Sequence, residues 1–222
     1  MGPHSRILDA YTNVLLPPPP AGTGICEGCA DVVVPISIAV SGEQLARELG
    51  EYKYNRVVAV RKKYSDGLLT VLAHFLRTHE GCLAADVGTD RFDLVTIVPG
   101  SKLTAEAHPL GAMLGRRLGQ TARRFAHALT ATGPNTREVR PRSFHVVRDI
   151  DAQAVLLVDD TWTTGASLQS SAAALKGAGA RAVAGLVIGR RVDADDPSAR
   201  RVLAHARSEV FDWGACVLCR TA

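Results

Sequence analysis

Residues 154–188 constrain the fold more than any other stretch. Ala154-Val-Leu-Leu-Val158 is an unbroken apolar run of strand length, a helix is expected from about Ala166 to Gly177, and Ala182-Val-Ala-Gly-Leu-Val-Ile188 is a second apolar run. Strands without polar alternation are buried on both faces. Two of them joined by one helix through short links form a parallel βαβ unit. The expected class is therefore α/β, a central parallel sheet flanked by helices, and ligands of such sheets sit at the carboxyl ends of the strands.

That position carries unusual chemistry. In Val155-Leu-Leu-Val-Asp-Asp-Thr-Trp-Thr-Thr-Gly-Ala-Ser167, two acids end the strand and a small hydroxyl-rich loop feeds the helix. Amides of a Thr/Gly turn at the positive end of a helix hold a phosphate dianion, and Thr163, Thr164 and Ser167 add hydroxyl donors. Gly165 lets the backbone approach closely. Asp159 and Asp160 are expected at a solvent-facing strand end, where carboxylates accept hydrogen bonds from vicinal sugar hydroxyls. The loop thus suits a ribose 5-phosphate. Strand-ending acids and helix-capping threonines are each routine alone; what points to a ligand is their combination within thirteen positions. An earlier apolar strand, Leu94 to Val98, runs into Pro99-Gly-Ser-Lys102, a turn whose amides and ammonium suit a diphosphate leaving group.

At these residues the sequence resembles the type I phosphoribosyltransferases, and from Val155 through Arg190 it is most similar to the ComF-like predicted members. The resemblance implies a phosphoribosyltransferase-like sheet with a small hood. It implies transfer of the 5-phosphoribosyl group from 5-phosphoribosyl 1-pyrophosphate (PRPP), with Mg²⁺, to an unidentified small-molecule acceptor, releasing pyrophosphate. Carried over position by position, Asp159 and Asp160 contact the ribose, Thr161, Trp162, Thr163, Thr164, Gly165, Ala166 and Ser167 surround the 5-phosphate, and Pro99, Gly100, Ser101 and Lys102 form the pyrophosphate loop. Lys102, Asp159 and Asp160 are the candidate catalytic residues. Thr163 stands where relatives acting on 6-oxopurines carry an acid, which demotes that substrate class. Trp162 is expected to pack under the loop rather than stack on an acceptor. The rival readings are a non-catalytic PRPP sensor and a ComF-like protein associated with uptake of single-stranded DNA.

Five cysteines include two Cys-x-x-Cys pairs, Cys26/Cys29 and Cys216/Cys219, with Cys82 left alone. Two such knuckles complete a tetrahedral S₄ site for Zn²⁺, so a structural zinc clasp joining the termini is one expectation and reduced free thiols the other. His74, His79, His108, His127, His145 and His205 show no His-Glu-x-x-His spacing and read as packing or surface residues.

Residues 1–35, with Pro17 to Pro20 and the first cysteine pair, read as an irregular appendage, and residues 36–222 as the domain proper. Ser41 to Gln44 reads as a capping box opening a helix through Leu49. A strand is expected over Val57-Val-Ala-Val60, helices over about 65–78 and 109–128, a loop over 130–142 and a strand over Phe144 to Val147. Eight arginines from Arg116 to Arg148 make the middle of the chain basic, as a closing hood would be, although most of them read as a solvated helix face. The net charge of +4 is too small for a nucleic-acid coat, which ranks nucleic acid low among partners. No apolar run approaches the roughly 20 residues that cross a bilayer. A cytoplasmic protein is expected, with PRPP, an acceptor and a second copy of the chain as partners.

Overall fold

The computed structural model describes residues 6–7, 28–100, 107–133, 137–208 and 211–219. Its strands are β1 (Arg6–Ile7), β2 (Val32–Val40), β3 (Leu94–Ile97), β4 (Leu129–Ala131), β5 (Phe144–Val146), β6 (Ala154–Trp162) and β7 (Ala182–Val192). The helices are α1 (Gln44–Tyr54), α2 (Val58–Asp86), α3 (Pro109–Ala112), α4 (Gly119–Ala122), α5 (Ala166–Gly177) and α6 (Arg200–Ser208). Among the described residues the main sheet runs β1-β2-β7-β6-β3 with every pairing parallel. The fold is α/β, a central parallel sheet with helices on both faces.

Strand period two sorts the core. Leu156 and Val158 of β6, with Val32, Val34, Ala184 and Leu186, pack against Leu68, Leu72 and Leu76 of α2. Val155 and Leu157, with Val33, Val183 and Val187, face Leu168 and Leu175 of α5. Residues Ala154 to Val158 are all 0% exposed, as an uninterrupted apolar strand requires. Each such Val or Leu contributes about 1.5–3 kcal/mol of burial, so β6 anchors whatever its carboxyl end carries.

The chain leaves β3 toward the α1/α2 face, where Leu110, Met113 and Leu114 join that core, and leaves β6 toward the other face through α5. Adjacent strands whose connections depart to opposite faces leave a crevice between their carboxyl ends. That crevice, between β3 and β6, is the candidate site.

Elsewhere tertiary context overrides the sequence pattern. Val57 to Val60 is no strand: Val57 is the N-cap residue of α2, and Val57 and Val58 lie 56% and 66% exposed with no strand beside them. The Ser41 box does not close; α1 has Glu43 at its N-cap without a side-chain bond, while the Ser41 amide donates to the Val192 carbonyl and extends the sheet. Instead of one helix over 109–128, α3 passes into a π-helical turn over Met113–Arg117, and extended backbone at Leu118 separates it from α4. Leu129 to Ala131, the last two of them in the expected loop, pair antiparallel with β5, forming a ribbon apart from the main sheet. The sheet also takes in Val32 to Pro35 from the expected appendage. Proline is tolerated there because β1 pairs only with Val32 and Val33, leaving Pro35 beyond its end. No helix among the described residues is long and apolar enough to cross a membrane.

Candidate active site and a cysteine–histidine cluster

Consecutive strand residues point to opposite faces, so Asp159 and Asp160 part company at the end of β6. Asp160 turns toward α1 and is 3% exposed. Its Oδ2 accepts a hydrogen bond from the Tyr52 hydroxyl and ion-pairs with Lys53 Nζ, both on α1, while His108 Nε2 lies 3.9 Å away. Both acids at a solvent-facing strand end is therefore not what the structure has. Asp159 is half-buried, and its Oδ1 accepts from the Asp160 amide at 2.9 Å.

The packing of α1 explains this arrangement. A Cβ on Gly189 of β7 would stand 2.5 Å from Leu49 Cδ1, so the missing side chain lets α1 settle close to the sheet. Tyr52 and Lys53, one turn farther along, then reach the end of β6.

The electrostatics follow from burial. Burial, and next the Asp160 carboxylate, push the Tyr52 phenol well above its ordinary value. For Lys53 burial pulls down, yet the attraction of Asp160 and Asp159 outweighs it and the ammonium ends above its usual range. Burial and the Lys53 charge lower His108 to about 4, so its imidazole is neutral at pH 7. His108 Nδ1 accepts from the Leu110 amide at 3.3 Å and caps α3. Asp159 is raised to about 7 by burial and by the neighbouring Asp160 charge, with Lys53 and two backbone amides opposing.

After the acids comes the loop. Trp162 is 8% exposed and packs with Val98, Leu157 and Leu168, the underside position expected for it. Gly165 sits over its indole with φ +78° and is the N-cap residue of α5. Thr163 and Thr164 are exposed, Thr161 and Ser167 half-buried and Ala166 buried. The Thr164 hydroxyl accepts from the Ala166 amide at 3.4 Å, a long bond at the start of the helix. The loop thus presents two hydroxyls at the positive end of a 12-residue helix.

Val98, Pro99 and Gly100 border the same crevice: the Val98 amide donates to the Val158 carbonyl at 3.0 Å, and Gly100 lies beside the His108 ring. Ser101 and Lys102 lie outside the described residues. Tyr52, Lys53 and His108 are the site residues that sequence reasoning missed. Of the basic hood residues, Arg124 pairs with Glu80, Arg117 with Asp66 and Arg140 with Glu138.

The cysteines assemble differently from the expected clasp. Cys29 is disulfide-bonded, and Cys26 lies outside the described residues. Gly28 lies against Ala173 and Lys176 of α5, whereas Cys216 belongs to the core on the α2 face. The sheet therefore stands between Cys29 and the Cys216/Cys219 pair. Cys216 and Cys219 meet His79 and Cys82 of α2 instead, with one ligand atom from each within 4.8 Å of the others, a group that could bind a metal such as zinc. The missed signal was His79-x-x-Cys82, a spacing that puts both side chains on one helix face.

No family model and no curated protein matches the chain. Among solved structures it is similar to a phosphoribosylpyrophosphate synthetase from Mycobacterium smegmatis, with 25% identity and a TM-score of 0.34 over 60% of this chain and 37% of that one. It is also similar to a phosphoribosyltransferase from Corynebacterium diphtheriae, with 22% identity and a TM-score of 0.34 over 81% of this chain and 84% of that one. The chain thus spans well under half of the synthetase, and neither likeness carries the functional conclusion, which rests on the loop after β6.

Proposed function

We propose that this protein is a phosphoribosyltransferase that takes the 5-phosphoribosyl group from the Mg²⁺ complex of PRPP to a nucleophile and releases pyrophosphate. The observation that carries the proposal is the loop Thr161 to Ser167, a glycine-turned, hydroxyl-bearing helix N-terminus at the β3/β6 crevice, directly after a half-buried carboxylate. In this reading the 5-phosphate sits against the hydroxyls of Thr163 and Thr164 and the positive end of α5. Asp159 accepts from the ribose hydroxyls. Asp160 is a positioning residue, engaged by Tyr52 and Lys53 rather than by sugar.

As the bond from C1 to the diphosphate breaks, positive charge builds on the ribose ring, as in other glycosyl transfers. The carboxylate of Asp159 offsets that charge from the strand end. Mg²⁺ bound with PRPP would supply charge neutralisation to the leaving diphosphate. Ser101 and Lys102 are proposed beside that leaving group, on the stem that Val98 to Gly100 provide. Thr163 carries no carboxyl, which speaks against a 6-oxopurine acceptor.

The test is a thermal-shift titration with Mg²⁺ and PRPP, followed by pyrophosphate release over bases, amines and aromatic acids. Saturable stabilisation by PRPP and ribose 5-phosphate, about 2.7 kcal/mol at 100 times Kd, is expected, with none from glycerol phosphate. Equal stabilisation by all three would sink the ribose reading. Saturable binding without pyrophosphate release for any acceptor would instead favour the PRPP-sensing alternative.

Asp159 adds a pH signature. A carboxyl titrating at about 7 gains acceptor strength as pH rises through 7, so affinity for PRPP is expected to rise about tenfold from pH 6 to pH 8. Its effect on stability has the opposite sign. A carboxyl raised from 3.8 to about 7 in the folded state favours folding below pH 4, and that contribution is lost as pH climbs through 7. Asp159→Asn should therefore melt higher than wild type at pH 8, with the gap closing toward pH 4, while losing PRPP affinity at least tenfold. Wild-type affinity in that variant would remove Asp159 from the site.

A further inference from the structure

We propose that His79, Cys82, Cys216 and Cys219 form a tetrahedral Zn²⁺ site that pins the C-terminal segment 211–219 to α2.

The distances fit one small ion. Cys82 Sγ lies 3.1 Å from Cys219 Sγ, Cys219 Sγ lies 3.4 Å from Cys216 Sγ, and His79 Nδ1 lies 3.4 Å from Cys219 Sγ and 3.9 Å from Cys82 Sγ. With Zn–S of about 2.3 Å and Zn–N of about 2.0–2.1 Å, the edges of such a tetrahedron measure roughly 3.6–3.8 Å. The observed separations depart from these edges by at most about 0.7 Å, at the Cys82–Cys219 pair, which must open on binding. The closest sulfur pair is far outside the roughly 2.05 Å of a disulfide.

The histidine supplies an independent argument. His79 Nε2 lies 3.0 Å from the Trp213 carbonyl oxygen. A carbonyl only accepts, so Nε2 carries the proton and Nδ1 turns its lone pair to the sulfurs. Metal-bound imidazoles are fixed in this manner, with the remote N–H on a backbone carbonyl. That carbonyl belongs to the segment being pinned, so ligand and anchor orient each other.

Two turns supply the ligands. His79 and Cys82 are three apart on one face of α2, and Cys216 and Cys219 bracket a turn. Three sulfurs and one imidazole select Zn²⁺ over the hard cations, and a closed four-ligand set marks a structural rather than a catalytic ion. The exposed Cys219 gives the ion an entry path, while Cys216 and Val217 are buried in the α1/α2 core. Trp213 adds edge contacts to His74 and Phe211 at 4.6 and 4.5 Å, which seat the segment but leave the thiols unexplained. On binding, each thiol that becomes a thiolate ligand releases its proton to solvent.

The experiment uses the full chain, purified under reduction without chelator. One equivalent of zinc per chain is expected, exchangeable for Co²⁺ with thiolate charge-transfer and tetrahedral d–d bands. Those bands should vanish in Cys219→Ser and in His79→Ala and persist in the Cys26→Ser, Cys29→Ser double variant. Should the substituted chains fail to fold, the wild type still decides: chelation should lower its Tm by several degrees and Zn²⁺ should restore it. Absent metal with three freely titrating thiols, a disulfide from Cys219 to Cys82 or Cys216, or Co²⁺ bands that depend on Cys26 and Cys29 would each overturn the site.

Discussion

Asp160→Asn is expected to destabilise the protein by about 3–5 kcal/mol, a fall in Tm of roughly 10 °C for a chain of this size. Asn still accepts from the Tyr52 hydroxyl, so the hydrogen bond survives and the charge does not. What remains is the Lys53 ammonium, with 15% of its side chain exposed and its carboxylate gone. Removing one partner of a buried pair costs more than removing both. Lys53→Met combined with Asp160→Asn should therefore recover most of the loss.

The pH dependence separates this account from a simple packing defect. In the wild type the Lys53 pKa is raised by its partners, so its contribution is present below the unfolded value of about 10.4 and lost as pH rises through the folded one. In Asp160→Asn only the weaker attraction of Asp159 and Tyr54 opposes burial, so Lys53 is pulled down and the variant gains relative stability with rising pH. The deficit should shrink above about pH 10. Urea midpoints at pH 7 and pH 10.5 for the wild type, Asp160→Asn, Lys53→Met and the double variant measure it, and a pH-independent deficit would refute the charge argument.

Gly165→Ala comes next in size. A left-handed backbone costs a residue with a Cβ about 1–2 kcal/mol, and φ is +78° here. The new carbon would also fall on the six-membered ring of Trp162, 2.6 Å from Cε2. That ring is buried between the loop and the core, so it cannot swing aside, and overpacking of this kind adds about 1–3 kcal/mol. The sum is roughly 2–5 kcal/mol, with loss of the PRPP response because the first turn of α5 must shift. Trp162→Leu in the same chain should return the packing part and leave the backbone part. A Gly165→Ala protein with the wild-type urea midpoint and PRPP response would show that neither constraint operates.

The segment from β6 to β7 was legible because each of its signals is local. An apolar run of strand length, a helix start at Ala166 and a second apolar run suffice without knowledge of the rest of the chain. Val57 to Val60 misled for the opposite reason. A β-branched run pairs only where a neighbouring strand exists, and position in the sheet is not a local property. The inward turn of Asp160 could have been inferred, since residues adjacent in a strand cannot both face one ligand side on. Its partners could not: nothing around Tyr52 and Lys53 marks a helix end that meets a strand end more than a hundred residues later. The same holds for His79 and Cys82, whose spacing is visible but whose other half lies at the far end of the sequence. Local structure was readable from β6 to β7; long-range pairing, at α1 and at the cysteine cluster, was not.

Helix α5 is anchored to the segment that enters β2 in both its first and its last turn. Asp31, just before β2, holds Lys176 at 2.6 Å through Oδ1 and the Val183 amide at 2.8 Å through Oδ2, while Gln169 in the first turn accepts from the Ala30 amide at 2.9 Å. A 12-residue helix is a rod about 18 Å long, so contacts in its first and last turns fix its direction against the sheet as well as its position.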